Sequence, residues 1–208
     1  PSSGISTTVL IADPQENLFA GTCAGASKDS DTCFNVAIGY SAGYSLNSGG
    51  IGNTSDDNVF IGRCAGTDTN TGQNNVFLGC LAGAENLAGQ ENVFIGMRAG
   101  CNNCNTDGSV IIGSNAGCCA SPGGASVFIG KSAGRGASGT AKNTASDNVF
   151  IGPDSGCRVT TGGKNTFVGS DSGRCTTSGS YNAALGFEAL CKPITAEYNI
   201  AMGFRAGK

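Results

Sequence analysis

One phrase recurs along this chain and limits what it can fold into. An Asn-Val-Phe-Ile-Gly-x-x-Ala-Gly unit begins at Asn17, Asn35, Asn58, Asn75, Asn92, Ser109, Ser126, Asn148, Asn165, Asn182 and Asn199. Seven of the ten steps between starts are 17 residues; the step from 35 to 58 is 23 and that from 126 to 148 is 22. A fixed short period means that each copy is one structural unit stacked on the next, because a single unit cannot bury its own apolar face. The predicted fold is all-β: a parallel solenoid, or β-roll, of about eleven 17-residue turns. Residues 1–16 are read as an N-terminal strand or cap and 17–208 as the solenoid. The two longer steps place insertions near 44–57 and 135–147, in the variable half of the unit, where loops leave the strands untouched. Composition agrees. Gly makes up 35 of 208 residues, against an ordinary share of about 7%, and supplies the positive φ angles of tight turns. Charged residues are only 13%, while apolar residues reach 39%, so the chain is no disordered polar tract.

Within the unit, positions 2 and 4 are mostly Val and Ile, as in Val76 and Leu78 or Val93 and Ile95. Side chains alternate along a strand, so these two positions share a face, and that face is expected to be the interior. Gly at position 5 in every unit, and at position 9 in all but one, where Leu190 replaces it, reads as corners. Position 8 is always Ala or Ser. The position 1 residues Asn17, Asn35, Asn58, Asn75, Asn92, Asn148, Asn165, Asn182 and Asn199 are expected to form a hydrogen-bonded amide ladder along the axis.

Position 3 points away from positions 2 and 4. It holds Phe19, Phe60, Phe77, Phe94, Phe128, Phe150 and Phe167, with Ile111 once; where it is Ala37, Ala184 or Ala201, position 6 carries Tyr40, Phe187 or Phe204. The expectation is an outward aromatic stripe that trades one ring between two positions and must be covered. Other copies of the chain, most simply in a homotrimer, are the expected cover; the second half of each turn folding over the stripe is the alternative.

Eleven cysteines sit on the same grid: Cys23, Cys33, Cys64, Cys80, Cys101, Cys104, Cys118, Cys119, Cys157, Cys175 and Cys191. Cys101 and Cys118 share position 10 on successive turns, and rung spacing suits a disulfide. Cys104 with Cys119, Cys64 with Cys80, Cys175 with Cys157 or Cys191, and Cys23 with Cys33 are the other expected pairs. One cysteine is left over. Such bridges imply an oxidising, extracellular setting. Cys101-Asn-Asn-Cys104 has the CxxC form, but without the βαβ context of redox enzymes.

Other chemistry finds little footing. There is no His, which removes Cys2His2 zinc sites and any His-based nucleophile pair, and no phosphate loop or calcium nonapeptide occurs. No enzyme and no cofactor are expected. The net charge of −3 argues against a nucleic-acid partner, and no apolar run approaches the ~18 residues of a membrane span. Residues 1–16 show no secretory leader, so an exported chain is expected to have lost it. Thr67, Thr69, Thr71, Thr160, Thr161, Thr176 and Thr177 do not keep the single column an ice-binding face needs. Asn53-Thr54-Ser55 is a possible glycosylation site within the first insertion.

The phrases Asn35-Val-Ala-Ile-Gly-Tyr-Ser-Ala-Gly43 and Asn182-Ala-Ala-Leu-Gly-Phe-Glu-Ala-Leu190 resemble the left-handed β-roll repeats of trimeric autotransporter adhesin heads and of phage-type tail-fibre proteins. The resemblance spans nearly everything from residue 17 onward. It implies trimerisation, a place on a cell or virion surface, and attachment, with no catalytic residues. It departs from the family in its longer turn and plentiful cysteines. Two functions are expected from this. One is an extracellular fibre subunit that assembles through the stripe and by end-to-end stacking, the segment Thr8–Ala12 docking on the last turn of another copy. The other is an adhesin binding cell-surface glycans through the inserted loops.

Overall fold

A computed structural model describes residues 12–46, 55–102, 105–120, 124–136, 144–192 and 195–208. It is an all-β parallel solenoid. Eleven three-residue strands, β1 (Leu18–Ala20), β2 (Val36–Ile38), β3 (Val59–Ile61), β4 (Val76–Leu78), β5 (Val93–Ile95), β6 (Val110–Ile112), β7 (Val127–Ile129), β8 (Val149–Ile151), β9 (Thr166–Val168), β10 (Ala183–Leu185) and β11 (Ile200–Met202), form one sheet in chain order. Every strand covers positions 2 to 4 of its unit. Each pairs with its equivalent one turn on: Val76 with Val93, Phe77 with Phe94, Leu78 with Ile95. The two longer steps leave the register unchanged, since Ala37 still pairs with Phe60 and Phe128 with Phe150.

The facing of the strands is the reverse of the sequence expectation. Phe60, Phe77, Phe94, Ile111, Phe128, Phe150 and Phe167 have no exposed surface, and Phe19 packs partly buried against the same cluster. Position 3 is therefore the core, and positions 2 and 4 point outward. The rings stack along the axis, with centroids 5.1 Å apart for Phe60 and Phe77 and 4.8 Å for Phe77 and Phe94. Their spacing is that of the strands themselves. The second half of each turn wraps around them, as the alternative reading of the stripe required.

Glycine at positions 5 and 9 is demanded by this wrapping. Gly79 has φ of 136°, and a Cβ there would lie 2.6 Å from the carbonyl oxygen of Gly96 on the next turn. Gly83 has φ of 56°, and its Cβ would meet the Phe77 ring. The backbone at position 9 thus lies flat on the ring of its own turn, and a side chain there would take the ring's place. That substitution occurs once. Leu190 stands at position 9, with φ of 50°, where position 3 is only Ala184, and both are buried. In the second unit Ala37 is offset instead by buried Leu46 at position 12, which lies beside Gly43 and Phe60. The missing ring is replaced inside the core, not by the aromatic at position 6.

Position 1 shares the inward face with position 3. Asn75 accepts at Oδ1 from the Asn92 backbone N–H (3.0 Å) and side-chain amide (3.1 Å), and donates from Nδ2 to the Gly89 carbonyl (2.8 Å). One amide therefore closes its own turn and ties it to the next. Ser109 and Ser126 keep the axial link, their hydroxyls accepting from the Ser126 and Asn148 N–H groups at 3.1 and 3.3 Å. At the other end Asp13 acts as the first rung, accepting from the Asn17 backbone N–H (2.9 Å) and side-chain amide.

Candidate assembly surface

With the rings inside, the outer face of the sheet carries the side chains of positions 2 and 4. Along eleven rungs these are Val, Ile, Leu, Met or Ala everywhere except Thr166. No charged side chain interrupts the two columns. Val76, Val93, Val110 and Val127 are half-buried by their neighbours above and below; Ile61, Ile151, Leu185, Ile200 and Met202 are more open, Ile200 at 79% and Met202 at 69%. Parallel pairing in an uninterrupted register lines these side chains into continuous ridges. Between them, Thr166, Val168, Ala183, Leu185, Ile200 and Met202 line an apolar groove of about 330 Å³.

Aromatic and sulfur-bearing side chains border the ridges at position 6. Tyr40, Met97, Phe187 and Phe204 are exposed there, and the Phe187 and Phe204 rings stack at 5.7 Å. On the other flank, just before position 1, Tyr181 stacks on Tyr198 at 5.1 Å, with the Lys164 ammonium 5.2 Å from the Tyr181 ring centroid. Of the expected aromatic stripe, then, Tyr40, Phe187 and Phe204 are on the surface, whereas Phe19, Phe60, Phe77, Phe94, Phe128, Phe150 and Phe167 are core residues. The aliphatic columns that the sequence pattern places in the interior form the outer face of the sheet.

The Asn column is interior. Asn17, Asn35, Asn58, Asn75, Asn92, Asn148, Asn165 and Asn182 are buried, and Asn199 is half-buried; the Oδ1 atoms of Asn17, Asn58, Asn148, Asn165 and Asn182 all accept from the next rung's backbone. No ligand-facing role is left for them.

Among the described residues, the expected pairs Cys101–Cys118, Cys64–Cys80, Cys157–Cys175, Cys175–Cys191 and Cys23–Cys33 are not bridged. Cys23, Cys33, Cys64, Cys80, Cys101, Cys118, Cys157, Cys175 and Cys191 carry free thiols. Cys104 and Asn53 lie outside the described residues. Stacking in a column brings cysteines close without dictating that their Cβ vectors converge, which is what a bridge requires. Cys80 instead accepts from the Arg63 guanidinium at 3.2 Å. Burial pushes the Cys157 thiol up, with Asp154 adding to the effect, and burial likewise raises Cys191, next to Cys175. The fifth and sixth turns differ: the Cys101 Sγ is 3.4 Å from the Cys118 carbonyl oxygen, and the Cys118 and Cys119 sulfurs are 3.6 Å apart.

Among the described residues no three His, Cys, Asp or Glu side chains group as metal ligands, and no helix is long and apolar enough to cross a membrane. Comparison with known proteins adds no assignment: no family model, no curated protein and no solved structure matches this chain.

Proposed function

We propose that this chain is a structural subunit of a surface fibre, and that it self-associates through the outer face of its sheet. The exposed aliphatic ladder carries the reading. Eleven strands about 4.8 Å apart give a face about 50 Å long, and three residues of strand give it a width of about 10 Å. Its footprint is therefore about 500 Å², toward the upper end of the largest apolar patch on a typical monomer. Adding the position 6 column widens it to about 17 Å and brings it near the ~800 Å² that each partner contributes to a standard interface.

A second copy of the same chain is the occupant that fits best. Its ridges repeat with the same rung spacing, so two such faces match in period along their whole length. The absence of charge in both columns also suits a face that meets its own kind, since like charges would otherwise confront one another. A homotrimer with the three sheets toward a common axis is the arrangement implied by the adhesin-like repeat. Nucleic acid finds no basic patch in a chain with 12 Lys and Arg against 15 Asp and Glu.

Sedimentation of the wild-type chain and of the double variant Val93→Lys/Ile95→Lys tests this. Both side chains point outward from β5, so circular dichroism should be unchanged. The wild type should sediment as an oligomer at micromolar concentration and the variant as a monomer. A monomeric wild type, or an oligomer indifferent to the lysines, would refute the proposal.

A second reading, an adhesive module for cell-surface glycans, draws on the exposed ring pairs Tyr181–Tyr198 and Phe187–Phe204. Flat aromatic faces of this kind pack against the apolar faces of sugar rings. A glycan array probed with wild type and Tyr198→Ala separates it from the first: binding lost in the variant while the oligomer persists would favour adhesion.

A further inference from the structure

The thiols of Cys101 and Cys118, with the Cys119 sulfur beside them, form a cluster that the assembly surface does not use. Cys101 and Cys118 occupy position 10 of successive turns, and the turns are hydrogen-bonded beside them, Gly100 N–H donating to the Ala116 carbonyl at 3.0 Å. The Cys101 sulfur lies 3.4 Å from the Cys118 carbonyl oxygen, and the Cys118 sulfur lies 3.6 Å from that of Cys119. All three are half-buried, so a small reagent can reach them. We propose that this cluster is a thiol–disulfide exchange site, with Cys101 as the attacking thiol and Cys118 as the one that resolves the product.

The partner is a small-molecule disulfide, written R–S–S–R. The Cys101 thiolate attacks one of its sulfurs, a Cys101–S–S–R bond forms, and one R–S⁻ leaves and takes up a proton equivalent to the one Cys101 lost. Cys118 then attacks the Cys101 sulfur, the intramolecular disulfide forms, and the second R–S⁻ leaves with the proton given up by Cys118. Two thiols are oxidised and one external disulfide is reduced to two thiols. No further reactant is needed.

The division of roles follows from the surroundings. A hydrogen bond from the Cys118 thiol holds Cys101 below the usual thiol range; burial opposes this, and the nearby Arg98 guanidinium adds to it. The same hydrogen bond and burial push Cys118 up. The thiolate is the nucleophile, so the first attack belongs to Cys101. Cys118 becomes reactive once Cys101 has been consumed, because the thiolate that held its proton is then gone. Elsewhere the balance is different: burial raises Cys33, with Asp56 and Asp13 adding to it.

The experiment uses the full-length reduced chain and the chromogenic disulfide 5,5′-dithiobis(2-nitrobenzoate). A substoichiometric amount should release two thionitrobenzoate anions per reagent consumed in a single fast phase, leaving Cys101 joined to Cys118 in the peptide map. Cys118→Ser should release one and keep the mixed disulfide on Cys101. Cys101→Ser should lose the fast phase, a fall of about tenfold or more in initial rate. Circular dichroism establishes that each variant is folded. A fast phase retained in Cys101→Ser, a stable mixed disulfide in the wild type, or a bridge between Cys118 and Cys119 or to Cys104 would overturn the assignment. If Cys101→Ser does not fold, the Cys118→Ser adduct still decides: label on any residue but Cys101 refutes it.

Discussion

The tenth turn offers a test of how the core is filled. Eight units place a large side chain at position 3 under a glycine at position 9; this one places Ala184 under Leu190. Leu190→Gly alone removes a buried leucine. That costs about 2–5 kcal/mol in transfer and cavity terms, less about 1–2 kcal/mol because a non-glycine residue is released from φ of 50°. The net loss should be about 0–4 kcal/mol. Ala184→Phe alone drives a ring into space that Leu190 fills, an overpacking worth about 1–3 kcal/mol or more. The double variant rebuilds the arrangement seen at Phe167 and Gly173, where a Cβ on the glycine would overlap the ring. It should also stack its ring on Phe167, adding about 0.5–1.5 kcal/mol. The double variant is therefore expected near or above wild-type stability, with a coupling energy of at least about 1 kcal/mol between the two sites. Urea unfolding followed by circular dichroism, and by the fluorescence of Tyr181 and Tyr198 that flank this turn, measures all three proteins. Destabilisations that simply add would mean that Leu190 does not occupy the place of the missing ring.

Three further outcomes follow from the same core. Thr69 and Thr176 at position 12 bury hydroxyls that lack a hydrogen-bond partner, where Val159 fills the equivalent place; Thr176→Val should raise stability by about 1 kcal/mol, and a loss in thermal unfolding would contradict this. Asn75→Ala strips the acceptor from the Asn92 N–H and one of two donors from the Gly89 carbonyl, which keeps the Asn86 amide, and should cost about 2–4 kcal/mol; Asn75→Ser, which keeps an axial acceptor as Ser109 does, should cost visibly less in the same denaturant series. Burial pushes the Asp13 carboxyl up, but hydrogen bonds from Asn17 and the Lys28 ammonium at 3.1 Å outweigh it and leave the group below its ordinary value. A depressed folded-state pKa contributes stability above the unfolded carboxylate range and loses it as pH falls through the lowered folded value. Amide exchange at Asn17 and Leu18 should therefore accelerate selectively at acid pH, and Asp13→Asn should flatten that dependence.

The turn, the strands and their register were legible in the sequence because each rests on local chemistry: a 17-residue period, Gly at fixed offsets, and apolar residues at fixed places. Which side of the strand faces inward was not, because both sides are apolar. Val76 and Leu78 face one way and Phe77 the other, and alternation separates the two sets without ordering them. Two signals bear on the choice. Asn75 and Phe77 lie on one face, and an amide that must satisfy both a neighbouring rung and its own turn belongs inside with its partners. The second is volume. Positions 2 and 4 accept Thr166, Ala183 and Met202 with no matching change elsewhere, whereas each Ala at position 3 that lies between turns is answered by a leucine, Leu46 or Leu190, at a distant place in the same unit. Only a packed interior enforces such compensation. The exchange between position 3 and Tyr40 or Phe187 looked like the same rule, but those rings are on the surface, and the leucines do the filling. Reversing the faces moves the case for assembly from a column of phenylalanines, now covered by their own chain, to a longer and uncharged aliphatic one that nothing among the described residues covers.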